Sequence, residues 1–250
     1  MANATITDVF RVIDLTGVFA NAVLGGVLAR RARLDPVGFG ALAIMSGLGG
    51  GLLRDTLLQH GTPVALTDYT YILTALVGAA IAFLLRIEGR LWDRGFPWVD
   101  ALALGCWAAA GASKTLGVGL GWLPAILLGT ITAVGGGAVR DIVLRRIPAI
   151  FGGNTLYATC AVIASAVMVV LYDLHHPAIG LVVSTAVGAA LTLIARWRRW
   201  QLPDAYLWQP GHLRGDRLHA WPPHWRGATE ETHESASAPS TEATDQREAP

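Results

Sequence analysis

Long apolar stretches alternate with short polar connections along most of the chain. Seven stretches are predominantly apolar, at positions 9–29, 37–58, 68–86, 98–119, 122–144, 154–172 and 178–195. About 18 or more such residues are enough for a helix to cross the hydrocarbon core of a bilayer. Backbone groups in that core must be hydrogen-bonded within the protein, which favours helices. The pattern therefore predicts an all-α, polytopic membrane protein with seven transmembrane helices.

Composition agrees with a membrane protein. Of the 250 residues, 53% are hydrophobic and 15% are charged, whereas about 25% of the residues in an average soluble domain are charged. The first residues lack a basic segment and a small-residue cleavage site, so we expect no removable signal peptide. Cys106 and Cys160 both fall inside predicted spans, where we expect packing residues rather than a disulfide.

Basic residues are concentrated in alternate connections. One side of the predicted membrane domain carries Arg30, Arg31, Arg33, Arg86, Arg90, Arg94, Arg145, Arg146, Arg196, Arg198 and Arg199. The other side carries only Arg11 and Lys114. Connections rich in lysine and arginine remain cytoplasmic. This predicts an external N-terminus, a cytoplasmic C-terminus and a multi-pass location in the plasma (inner) membrane.

An internal repeat organises the chain. GGGLLRD, which begins at Gly49, returns as GGGAVRD at Gly135, and both motifs and the acids Asp14 and Asp100 keep an offset of 86 residues. Two units of three spans each follow from this offset. An odd number of spans places the second unit upside down relative to the first. The predicted divisions are a first repeat at 5–86, an inverted second repeat at 91–172 and a separate seventh helix at 178–196.

Each glycine triplet falls near the middle of its span. The two triplets are Gly49, Gly50 and Gly51 in span two and Gly135, Gly136 and Gly137 in span five. Glycine disfavours helix by about 1 kcal/mol per residue relative to alanine, so its repetition calls for a cause. One cause is close packing of another helix against bare backbone. The other is a break in the helix that turns backbone groups towards a polar cavity.

Charged residues accompany both triplets. They are Arg54 and Asp55, Arg140 and Asp141, and, nearer the span ends, Asp14 and Asp100. Charges inside a membrane usually face the bundle interior or water, so we expect these residues to line or gate a permeation path. Two alternatives remain: the pairs hold the two units together as a buried lock, or Asp14 and Asp100 merely occupy span ends and extend to the interface.

Other polar features carry weaker expectations. Lys114 aligns with Leu28 across the repeat, and we expect it to extend to the membrane surface or to line the path. Residues 197–226 are basic and aromatic, which suits the inner leaflet, and residues 227–250 are predicted to be disordered. The sequence contains no nucleophile and base pair, phosphate loop or metal motif that would indicate an enzyme or a bound cofactor.

The doubled motif and the three-plus-three arrangement resemble one known family. It is the prokaryotic branch of the trimeric intracellular cation (TRIC) channels, whose members are also labelled glycine-transporter-domain proteins. The resemblance extends over about residues 5–200. It implies a homotrimer with a pore in each protomer, where the glycine-broken spans two and five cross. The lysine- and glutamate-containing motif with which animal members bind an inositol lipid is absent here.

Three functions follow from these observations. The first is a channel for monovalent cations, potassium or sodium, in which carboxylates and backbone carbonyls replace hydration water. The second is a transporter of glycine or a similar zwitterion, in which Arg54 or Arg140 binds the carboxylate. The third is a structural membrane protein without transport. The expected partners are the lipid bilayer, further copies of the chain and the permeant, and nucleic acid is not expected.

Overall fold

Helices account for nearly all the regular structure. The computed structural model of the protein describes residues 2–85, 87, 90–151 and 156–200. Its helices are α1 (Ala2–Arg31), α2 (Pro36–Leu58), α3 (Val64–Thr67), α4 (Tyr69–Leu84), α5 (Arg90–Gly117), α6 (Trp122–Val143), α7 (Tyr157–Asp173) and α8 (Pro177–Arg198). A short 3₁₀ turn, Ala149–Phe151, precedes α7. No strand occurs in these described ranges, so the predicted all-α class is confirmed.

Each of the seven predicted spans overlaps one helix, although the helices differ in length and polarity. Within the described residues, four helices are long and apolar enough to cross a membrane, namely Phe10–Arg31 of α1, α2, α6 and α8. Helices α4 and α7 are apolar but shorter. Helix α5 begins earlier than expected and continues through Pro97, so its first turns are polar.

Hydrogen bonds with side chains fix two helix ends. Asp35 caps α2 by accepting a hydrogen bond from the Gly38 N–H at 2.7 Å, and Pro36 follows in the first helical turn. This combination is favoured because the first N–H groups of a helix have no internal partner. The end of α4 is bonded by a residue distant in sequence: Arg30, in the last turn of α1, donates hydrogen bonds to the Ala82 and Phe83 carbonyls. The predicted segments beyond residue 200 lie outside the described residues.

Small residues form most of the helix interfaces. Helix α1 packs against α2, α4 and α5, while α5 also packs against α6, α7 and α8. Alanines such as Ala22, Ala29, Ala108 and Ala164 are completely buried. Within a membrane, close approach of small residues replaces much of the hydrophobic drive available in water. The core is therefore a set of close backbone contacts.

One of these close contacts lies between α2 and α6, where the two glycine triplets meet. A methyl group added to Gly49 would lie 3.2 Å from the Gly136 Cα, and one on Gly135 would lie 3.0 Å from the Gly50 Cα. A methyl group on Gly50 would overlap the Thr132 carbonyl oxygen. We call this contact, formed by Gly49, Gly50, Gly135 and Gly136, the glycine crossing.

The predicted break at each triplet is wrong. Both α2 and α6 are continuous helices through their glycines. The physical reason is that glycine costs helix stability but does not forbid helix, and here the bare backbone is used for packing. Gly51 and Gly137 differ from the other four: an added methyl group would find only the Arg54 or Arg140 guanidinium, at 3.9 and 3.7 Å respectively.

This contrast generates a stability experiment. Gly50→Ala and Gly136→Ala should each destabilise the protein by roughly 1–3 kcal/mol, because each new methyl group overlaps a backbone carbonyl of the other helix. The matched controls, Gly51→Ala and Gly137→Ala, should be neutral or stabilising by up to about 1 kcal/mol, since they add only helix propensity. Unfolding of the detergent-solubilised protein measures all four. Equal changes in the free energy of unfolding for the two packed glycines and the two open glycines would contradict the packing described for the glycine crossing.

Candidate functional site

The first charged cluster lies at the C-terminal end of α2. The Asp55 carboxylate accepts hydrogen bonds from Arg54 Nε at 2.7 Å, from Lys114 Nζ at 2.7 Å and from the Val64 N–H at 3.0 Å. Its side chain is 2% exposed and that of Arg54 is 11% exposed. A buried carboxylate with this many donors is stabilised in its charged form. The cluster therefore holds α2 against α5 and the first residue of α3.

Lys114 does not behave as expected from the sequence. Its side chain is 30% exposed, but its ammonium group forms an ion pair with Asp55. The lysine therefore belongs to the charged cluster and does not simply extend to the membrane surface. The aligned residue in the first repeat, Leu28, is buried in an apolar cluster with Leu42 and Phe39. The two ends of the molecule thus differ in charge although their scaffolds correspond.

The second charged cluster lies at the C-terminal end of α6. Arg140 forms an ion pair with Asp141 at 2.9 Å. The Arg140 Nη1 also approaches Ser46 Oγ on α2 at 3.5 Å. Ser46 in turn donates a hydrogen bond to the Asn21 carbonyl at 2.7 Å. These contacts connect the second cluster to the glycine crossing and to α1.

Asp14 and Asp100 each pair with a tyrosine. The Tyr71 hydroxyl donates to Asp14 Oδ2 at 2.6 Å, and the Tyr157 hydroxyl donates to Asp100 Oδ1 at 3.0 Å. Trp107 adds a second bond, from its Nε1 to Asp14 Oδ1, at 2.7 Å. Asp14 is half-buried and Asp100 is buried. These contacts favour the expectation that the two acids line a path over the alternative that they extend from span ends to the interface.

The tyrosines are functional candidates that the sequence reasoning missed. Tyr71 and Tyr157 are separated by 86 residues, the same offset as the glycine motifs and the acids. That coincidence was available in the sequence. Trp107 offered no such signal, because the aligned residue in the first repeat is Asn21.

Two polar cavities contain these groups. The Asp14 cavity has a volume of about 70 Å³, and its polar lining is Asp14, Ser46, Arg54, Asp55, Tyr71, Trp107 and Thr132, with Gly50, Gly51 and Gly136. The Asp100 cavity has a volume of about 270 Å³, and its polar lining is Asn21, Asp100, Trp107, Arg140, Asp141, Tyr157, Thr192 and Arg196, with Gly137. A water molecule takes about 30 Å³ in the liquid, so both cavities have room for water.

The cavities lie at opposite ends of the glycine crossing. Helices α2 and α6 are antiparallel there, since Gly50 contacts Thr132 while Ser46 contacts Gly136. One cavity adjoins the C-terminal end of α2, and the other adjoins the C-terminal end of α6. The structure therefore brings ten of the twelve predicted path residues to one cavity or the other. The remaining two, Gly49 and Gly135, lie in the glycine crossing and line neither cavity.

The chemistry of these cavities is that of ion pairs and hydrogen bonds. In the part of the chain that the structure describes, no group of three or more His, Cys, Asp or Glu side chains is placed to hold a metal ion. Both guanidinium groups already contact a carboxylate. The contacts described for Asp14 come instead from two neutral donors. Among the described residues, Asp14 is thus a carboxyl group with no cationic side chain in hydrogen-bond contact.

One protein-family model matches two segments of the chain, and these segments correspond to the two sequence repeats. The family model described as "Glycine transporter" matches residues 11–86 and 97–173. The two matched segments begin 86 residues apart. They contain both glycine triplets, both Arg-Asp pairs and both acid-tyrosine pairs.

Several bacterial membrane proteins are similar in sequence. A UPF0126 membrane protein of Deinococcus radiodurans is 35% identical over 117 residues, which cover 47% of this chain and 54% of that protein. The UPF0126 inner membrane protein YadS of Escherichia coli is 33% identical over 103 residues, which cover 41% of this chain and 50% of that protein. The chain thus spans about half the length of the curated relatives it matches.

Solved structures extend the likeness to nearly the whole described fold. A TRIC cation channel studied for its conductance superposes with a TM-score of 0.74 and 31% identity, covering 85% of this chain and 100% of that chain. The trimeric intracellular cation channel orthologue of Rhodobacter sphaeroides gives a TM-score of 0.67 and 29% identity, covering 76% and 98%. This chain therefore belongs to the glycine transporter family, which is the prokaryotic TRIC family indicated by its doubled glycine motif.

Proposed function

We propose that the protein is a channel for monovalent cations with a separate path through each protomer. The path runs from the Asp14 cavity past the glycine crossing to the Asp100 cavity. One observation carries the proposal: a single chain encloses two polar cavities at opposite ends of the same helix crossing, each lined by repeat-related acids. The likeness to TRIC cation channels supports the same conclusion.

The charge arrangement favours cations over anions. Arginine in a cation path would repel the permeant, but Arg54 and Arg140 each form an ion pair with the adjacent aspartate, although Asp55 is shared with Lys114. Asp14 has no such partner among its described contacts. Acidic groups lining a constricted path raise the local concentration of cations. Asp14 is therefore the group that we assign to cation attraction.

The topology and assembly also belong to the proposal. We infer that all seven predicted spans cross the membrane as two inverted three-helix units plus α8. The basic residues place the N-terminus outside and the C-terminus in the cytoplasm. The Asp14 cavity then opens outward and the Asp100 cavity inward. The Rhodobacter sphaeroides orthologue is described as trimeric, and we propose a homotrimer here.

Glycine transport is the weaker candidate. Its binding site requires a helix N-terminus after the glycine triplet and a guanidinium group available to a carboxylate. Helices α2 and α6 continue through their triplets, which removes that helix N-terminus. The two guanidinium groups already contact Asp55 and Asp141. Only the family description favours glycine.

Asp14 provides the first functional test. Asp14→Asn should reduce the single-channel potassium conductance about threefold or more at low salt, because it removes the charge that concentrates cations. The reduction should shrink at high salt, where ions screen the site. The matched control is Asp8→Asn, the same change at an exposed position of α1. Equal conductance of the two variants at low salt would contradict the proposed role of Asp14.

A second test compares the three candidate functions on one preparation. Purified protein in lipid vesicles should carry potassium current, while uptake of labelled glycine should equal that of empty vesicles. Glycine uptake that is lost in Arg140→Gln, without potassium current, would overturn the channel proposal in favour of transport. Folded protein that passes neither solute would leave helix packing as the purpose of the glycines.

A further inference from the structure

Trp107 lies beside both cavities but belongs to neither charged cluster. Its indole lines the Asp14 cavity and the Asp100 cavity. Of the described residues that line these cavities, it is the one common to both. An aromatic side chain that lines both cavities is placed where it could separate them.

Two contacts fix the indole. Its Nε1 donates a 2.7 Å hydrogen bond to Asp14, which ties the ring to α1. Its other ring lies over the bare backbone of Gly17, where an added methyl group would be 3.1 Å from Trp107 Cζ2. The absence of a side chain at Gly17 therefore leaves room for the indole and for Ala103, whose Cβ would be 2.7 Å from the added methyl group. A hydrogen bond to a charged acceptor is stronger than one between neutral groups.

The repeat shows what is unusual about this position. Asn21 precedes Trp107 by 86 residues and lines the Asp100 cavity, and its side-chain amide donates a hydrogen bond to the Gly17 carbonyl at 3.2 Å. The indole N–H of Trp107 instead donates to Asp14. The two aligned positions thus each supply a side-chain donor to the lining of a cavity. They differ in bulk, because one donor is a small amide and the other is an indole.

We propose that Trp107 closes the passage between the two cavities and that its hydrogen bond to Asp14 holds it closed. The path opens when the indole leaves the carboxylate. A cation that reaches Asp14 competes with the indole N–H for the same oxygen and so favours opening. This inference rests on the proposed channel function and adds the residue that controls it.

Two substitutions test separately the effect of the indole's bulk and the effect of its hydrogen bond to Asp14. Trp107→Phe retains an aromatic ring but lacks the donor, so it should raise the open probability about tenfold or more with little change in single-channel conductance. Trp107→Asn supplies the smaller donor found in the first repeat, so it should raise the conductance itself. The control is Trp122→Phe, at an exposed tryptophan of α6 outside both cavities. Wild-type currents in both Trp107 variants would overturn the proposal.

A chemical measurement tests the passage without relying on potassium current. Ala138 lines the Asp100 cavity, and Ala138→Cys places a thiol there, whereas the native Cys106 and Cys160 are buried. In vesicles of known orientation, Ag⁺ added at the Asp14 side should modify this thiol about tenfold faster when Trp107→Asn is also present. Modification from the Asp100 side should not change. The parent protein without the added thiol gives the background.

The chemical result distinguishes the two proposals. Faster Ag⁺ passage in Trp107→Asn without potassium current in any variant would retain the role of Trp107 and reject the potassium channel. Potassium current in the wild type with unchanged Ag⁺ rates and unchanged gating would retain the channel and reject Trp107 as its barrier. If Trp107→Asn fails to form folded protein, Trp107→Phe with Ala138→Cys provides the same comparison, since it keeps the ring in the core.

Discussion

The close approach of α2 and α6 is the constraint on which the rest of the structure depends. Four glycines bring two helix backbones into contact, with Gly49 and Gly135 each packed against a glycine of the other helix. Because the helices are antiparallel, their C-terminal ends diverge to opposite ends of the crossing. Each end carries an Arg-Asp pair. A wider separation would leave these charges without their shared scaffold and would enlarge or merge the cavities beside them.

Charge neutralisation makes this arrangement compatible with a membrane. An unpaired charge at mid-membrane costs several kcal/mol, and a buried pair needs further hydrogen bonds to offset its desolvation. Asp55 has them from Lys114 and the Val64 N–H. The two acid-tyrosine pairs use neutral donors instead. The molecule thus separates acids that contact arginine from acids that contact neutral donors in the cavities, and this division supports cation permeation.

The sequence predicted the helices well because they depend on periodic, local information. Apolar length located seven of the eight α-helices in the described residues, all but the short α3, and the offset of 86 residues located the paired glycines, acids and arginines. The helix break was wrong because sequence shows where glycine weakens a helix but does not show whether another backbone fills the space. The partner of Lys114 and the place of Trp107 between two cavities are long-range contacts. They depend on how α5 packs against α1 and α2, which no local pattern specifies.

The central claim is that cations pass through the cavities of each individual chain. Thallium, a heavy monovalent cation close to potassium in behaviour, gives anomalous X-ray scattering and can be located in crystals of the protein. The account expects thallium density beside Asp14 in every protomer, with weaker density in the Asp100 cavity. Density confined to the space between protomers, with both cavities empty, would contradict it.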